Sequence, residues 1–154
     1  MTANRSPQLE RLYREHAHSL AFADRIEGLV ADGSAESLAQ GIQLVRDYYE
    51  QELEAHLQQE EQTLFGPLLQ HDRENFALFA QLGKEHGFLR MVAANLRPET
   101  AERDLAAFAD VLREHTRTED ERLLPLVEAH FTPEQLDAVM HFKPLPTAPI
   151  QRHS

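Results

Sequence analysis

Apolar residues recur three or four positions apart along most of the chain, and no run alternates with the period of two expected of a half-buried strand. The pattern predicts an all-α protein with four long amphipathic helices. Ser6 and Pro7 suit a cap and first helical position, and the first helix should run to about Ala31, where Asp32, Gly33 and Ser34 break it. The second should start near Ser34 and reach "FGPLLQH", where Pro67 is expected to kink or interrupt it. The third should span roughly 73–96 and stop before Pro98, and the fourth about 100–130. Thr132, Pro133 and Gln135 have the spacing of a capping box, predicting a short fifth helix to about Phe142. Short connections between long helices suggest an antiparallel up-down-up-down four-helix bundle over residues 1–142, followed by an irregular, proline-containing tail over 143–154.

The inward stripes have one recurring defect. They read Leu9, Leu12, His16, Leu20, Ala23; then Leu38, Ile42, Val45, Tyr49, Leu53, His56, Glu60, Leu64; then Phe79, Leu82, His86, Leu89, Ala93, Leu96; and finally Leu105, Phe108, Leu112, His115, Glu119, Leu123, Leu126. Every stripe is interrupted by a histidine, and two also carry a glutamate one turn later. "LEAHLQQEEQTL" (53–64) and "LREHTRTEDERL" (112–123) share Leu, His, Glu and Leu at identical offsets, with an acidic residue after each glutamate. Burying such groups without partners costs several kcal/mol apiece, roughly, so the cluster needs compensation. Four imidazoles and two carboxylates are too many donors for one tetrahedral zinc and suit two metal ions bridged by carboxylates. Iron, manganese and zinc all accept such nitrogen and oxygen donors, and two divalent ions against two carboxylates leave charge for an anionic oxygen species, which favours iron.

Composition removes other classes. A formal charge of −11 argues against a nucleic-acid or anionic-membrane surface, and the absence of cysteine excludes disulfides, thiolate chemistry and cysteine-ligated metal. The polar N-terminal stretch and the lack of a long apolar run give the expectation of a cytoplasmic protein.

"LYREHAHSL", "ELEAHLQQEEQTLFGPL", "KEHGFLR" and "LREHTRTEDERLLPLVE" resemble, in order and spacing, the successive motifs of the hemerythrin-like, or HHE cation-binding, family over roughly residues 9–130. The resemblance implies a four-helix bundle around two non-haem iron ions with an oxo or hydroxo bridge. It places metal ligands at His16, His56, Glu60, His86, His115 and Glu119, with Glu60 and Glu119 as carboxylate bridges. Two departures bear on function. Oxygen-carrying hemerythrins have two histidines one turn apart in the third helix, whereas Leu82 lies four before His86 and Arg90 four after. They also use an aspartate five residues after the fourth-helix histidine. Here both Glu119 and Asp120 are available, and Glu119 is favoured because its offset repeats that of Glu60.

One imidazole fewer leaves a more open site. The expected function is therefore binding of dioxygen or a related small ligand, peroxide or nitric oxide, in oxygen or redox stress sensing or defence. The alternatives are an enzyme that reduces peroxide or nitric oxide or donates iron for repair of iron centres, and a purely structural bundle. His18, about 200° around the helix from His16, is read as solvated unless the register shifts, and Glu15, Glu85 and Glu114 as solvated charges. Tyr13 and Tyr49 lie near the stripes, as packing or as hydroxyls for the metal pocket.

Overall fold

The computed structural model describes residues 5–71 and 73–150, which form five helices and no strand. A 3-10 turn over Pro7–Leu9 leads into α1, Glu10–Asp32, which stops where Gly33 takes a φ of 72°, a left-handed conformation that favours glycine. Helix α2 covers residues 35–71 and is capped by Ser34, whose hydroxyl accepts from the Ser37 N–H at 3.1 Å. Helix α3 is Phe76–Asn95 and α4 covers residues 101–130. The Thr132–Gln135 capping box opens α5, Pro133–Met140, as its sequence predicts. Residues 143–150 have no regular structure, and residues 151–154 of the expected tail lie outside the described residues.

The bundle is antiparallel throughout. Along α1 and α4, His16 meets Asp120 while Asp24 meets Arg113, and along α1 and α2, His16 meets Glu60 while His18 meets Glu52. Along α2 and α3, Glu61 meets His86 while Arg46 reaches the Leu96 carbonyl. The tail is tied to α2: the Leu145 N–H donates to Gln58 Oε1 at 2.9 Å and the Ile150 N–H to Glu50 Oε1 at 2.8 Å.

Three π-helical turns interrupt the α geometry, Tyr49–Leu53 and Glu61–Phe65 in α2 and Glu119–Leu123 in α4. Each fits an extra residue into its turn and advances the inward face by one position. The buried tyrosine is consequently Tyr48, stacked on Phe22 at 4.2 Å between ring centroids, and not the expected Tyr49. In α4 the same shift buries Val127 in place of Leu126. In α1, Ser19 takes the inward place expected of Leu20, because steps of three, four and three (16, 19, 23, 26) follow the 3.6-residue period to Ile26. Nor does Pro67 break α2, since the π turn just before it widens the helix where its ring would press on the preceding turn.

The apolar core falls into two parts. One gathers Ile26, Val45, Leu53, Leu57, Leu89, Leu105, Phe108 and Leu112, and the other Leu9, Leu12, Leu64, Leu82, Leu123, Leu124 and Val127. Between them all four long helices contribute polar side chains, so the site is a polar layer with leucine on both sides.

Candidate metal centre

His16 from α1, His56 and Glu60 from α2, His86 from α3, and His115 and Glu119 from α4 meet in this layer, none more than 6% exposed. The helical repeat explains the arrangement. A histidine and a glutamate four apart sit one turn apart on the same inward face, and α2 and α4 each present such a pair. Among the described residues the donors form two groups, His16, His56, Glu60 and Glu119, and His86, His115, Glu60 and Glu119, with one donor atom from each residue within 4.8 Å of the others. Both groups use both carboxylates. Glu60 Oε2 lies 3.2 Å from His16 Nε2 and 3.1 Å from His56 Nε2, while its Oε1 lies 3.0 Å from His86 Nε2 and 3.8 Å from His115 Nε2. Glu119 turns Oε1 to His16 at 3.2 Å and Oε2 to His115 at 3.1 Å and His86 at 3.8 Å.

The opposite edge of each imidazole meets a half-buried carboxylate. His16 Nδ1 pairs with Asp120 at 2.6 Å, His56 Nδ1 with Glu15 at 3.3 Å, His86 Nδ1 with Glu61 at 2.8 Å and His115 Nδ1 with Glu85 at 2.8 Å. A carboxylate at Nδ1 favours the proton there and turns the Nε2 lone pair inward, as metal-bound histidines require. Glu15 and Glu85, expected to be solvated, therefore serve the imidazoles of neighbouring helices. Their sequence position hides this: a residue next to a ligand histidine points about 100° away from it, toward the adjacent helix. Glu114 is exposed as expected. Asp120, the alternative to Glu119, lies on the outer edge of His16.

The arrangement has an approximate two-fold relation. Glu15 and His16 on α1 correspond to Glu85 and His86 on α3, and His56, Glu60 and Glu61 on α2 to His115, Glu119 and Asp120 on α4. The paired rings agree, His16 and His56 lying 5.1 Å apart at 68° and His86 and His115 4.8 Å apart at 61°.

Without metal, the layer is held by pairing between its imidazoles and carboxylates. Burial alone would lower the histidine pKa values, yet Glu60 and Glu15 lift His56 to about 9, and Glu119, Glu60 and Glu61 lift His86 to about 10. His16 and His115 also shift upward against burial, His16 through Asp120, Glu119 and Glu60, and His115 through Glu119, Glu60 and Glu85. Burial and the Glu60 charge oppose ionisation of Glu119, but His115 and His16 bring it down to about 2. Even so, both Glu119 oxygens and His115 Nε2 are buried with no hydrogen-bond partner. Their close approaches lie off the hydrogen-bonding direction, as expected for lone pairs aimed at a common point and not at one another. These atoms fit a cation bound among them.

His18 stays outside the cluster, with its side chain 54% exposed and Nδ1 2.7 Å from Glu52. Tyr13 donates to Glu128 at 3.3 Å and Tyr49 to Glu54 at 2.8 Å, so neither hydroxyl is spent on the six inward residues.

Fold and site together define a helical bundle with a buried histidine–carboxylate centre able to hold metal. The hemerythrin HHE cation-binding domain family matches residues 8–127, and the chain belongs to that family. No curated protein and no solved structure matches the chain. Among the described residues no helix is long and apolar enough to cross a membrane.

Proposed function

We propose that the chain is a non-haem di-iron protein that binds dioxygen, or a related small ligand such as peroxide or nitric oxide, in sensing or defence against oxygen or redox stress. One observation carries this reading: two four-residue donor groups share both carboxylates, each carboxylate turning one oxygen toward each group. In this role His16 and His56 would hold one ion and His86 and His115 the other, with Glu60 and Glu119 shared between them. Iron would supply the redox chemistry and the exchangeable coordination positions.

The chain's own residues prepare the site. Asp120, Glu15, Glu61 and Glu85 fix the imidazoles with Nε2 inward. Leu12, Leu64, Leu82 and Leu123 on one side and Leu53, Leu89 and Leu112 on the other exclude water and lower the local dielectric. Neither α3 position one turn from His86 offers a second imidazole, since Leu82 is fully buried and Arg90 pairs with Glu54 and Glu61. Each ion would have four protein donors, fewer than iron commonly takes, which would leave room for an exogenous ligand. This openness also supports the second reading, an enzyme that reduces peroxide or nitric oxide or releases iron.

The test is elemental analysis of untagged protein made in iron-replete medium, with an ultraviolet-visible spectrum of the same sample in air. About two irons per chain with charge-transfer bands are expected on the composition of the site. Folded protein that holds no metal and takes up no ferrous iron anaerobically refutes both readings. Sustained turnover of peroxide or nitric oxide with an electron donor selects the enzyme.

A further inference from the structure

The approximate two-fold symmetry of the centre breaks down beside His86. Arg90 stands four residues after His86, and the corresponding position after His16 is Leu20. Arg90 lies between two carboxylates of α2. Its Nη1 and Nη2 donate to Glu61 at 2.6 and 3.0 Å, and its Nε and Nη2 to Glu54 at 2.6 and 3.1 Å. Glu54 is held in turn by the Tyr49 hydroxyl at 2.8 Å and Gln58 at 3.0 Å. The Glu61 oxygen that receives Arg90 Nη1 is also the one facing His86 Nδ1 at 2.8 Å.

The other three imidazoles have no such arrangement. Among the described residues, no arginine or lysine pairs with Asp120 or Glu85, and Arg11, 75% exposed, comes only to 3.9 Å of Glu15. A free carboxylate at Nδ1 makes an imidazole a stronger donor at Nε2, and a carboxylate neutralised by a bidentate guanidinium does so less.

We propose that Arg90 is a positioning residue that makes the two metal positions unequal: by offsetting part of the Glu61 charge it weakens His86 as a donor, so the His86–His115 position binds metal less tightly than the His16–His56 position. This inference rests on the metal-binding reading. It predicts an order of loading, with the α1–α2 half filled first and the α3–α4 half last and most easily emptied.

The test is anaerobic titration of the metal-free protein with ferrous iron, followed by calorimetry. Wild type should show two steps separated by at least about tenfold in affinity. Arg90→Gln should bring the steps within about threefold, while Arg90→Lys, which keeps the charge, should leave them apart. Glu85→Gln should weaken the second step about 10- to 100-fold, whereas Glu61→Gln should weaken it less than about threefold unless Arg90 is also Gln. A single step in wild type, equal effects of Glu61→Gln and Glu85→Gln, or unchanged spacing in a less thermostable Arg90→Gln each overturns the inference, the last making Arg90 a helix-to-helix staple. Wild type that takes up no iron fails the metal reading itself.

Discussion

Removing metal from the centre should make stability depend on pH in a window where the loaded protein is indifferent. In the metal-free protein the carboxylates hold His56 up to about 9 and His86 up to about 10, against about 6.5 in the unfolded chain. Both folded values lie above the unfolded one. The stabilisation is therefore complete below about pH 6.5 and is lost as pH rises through 9 and 10. Each tenfold change in proton affinity is worth about 1.4 kcal/mol, so two such groups amount to several kcal/mol in a domain whose total stability is about 5–15 kcal/mol. At about 2–4 °C per kcal/mol, the melting temperature should fall by on the order of 10 °C between pH 6 and pH 10. Above that range two buried carboxylates face each other without protonated imidazoles. The assay is thermal unfolding followed by circular dichroism at half-unit pH steps, on chelator-stripped and iron-loaded samples. The loaded sample should stay flat over the window, because its imidazoles bind metal in place of protons. A flat profile for stripped protein, or parallel decline of both samples, would refute the reasoning.

Other perturbations probe separate links. Glu119→Gln removes an anionic donor from both groups at once, so iron content should drop from about two to one or fewer per chain by elemental analysis while helical content persists. Phe108→Ala, in the fully buried core away from the site, should cost about 3–5 kcal/mol in urea unfolding and leave metal content per folded chain unchanged. Gly33→Ala forces a Cβ onto a residue with φ of 72° and should cost about 1 kcal/mol by the same measurement, as should Ser34→Ala through loss of the α2 cap.

The sequence by itself determined the helices, their order and the six residues of the polar layer. Periodicity places a side chain on one face of its own helix, and a histidine inside an apolar stripe is conspicuous wherever the helix packs. All six stripe positions of α3, from Phe79 to Leu96, are buried as predicted, because no extra residue disturbs that helix. Only the tertiary structure decided where the period would slip. The π turns exchange Tyr49 for Tyr48 and Leu126 for Val127, and a local widening leaves no mark in a pattern of threes and fours. It also decided the second set of carboxylates. Glu15, Glu61, Glu85 and Asp120 look like surface charges along their own helices, yet each meets an imidazole on another one. Arg90 illustrates the same limit: in sequence it marks a missing histidine, and only packing shows it bound to Glu54 and Glu61. Local pattern fixes which way a residue faces, whereas its partner depends on how neighbouring helices are rotated and staggered, which the packing of the whole core sets.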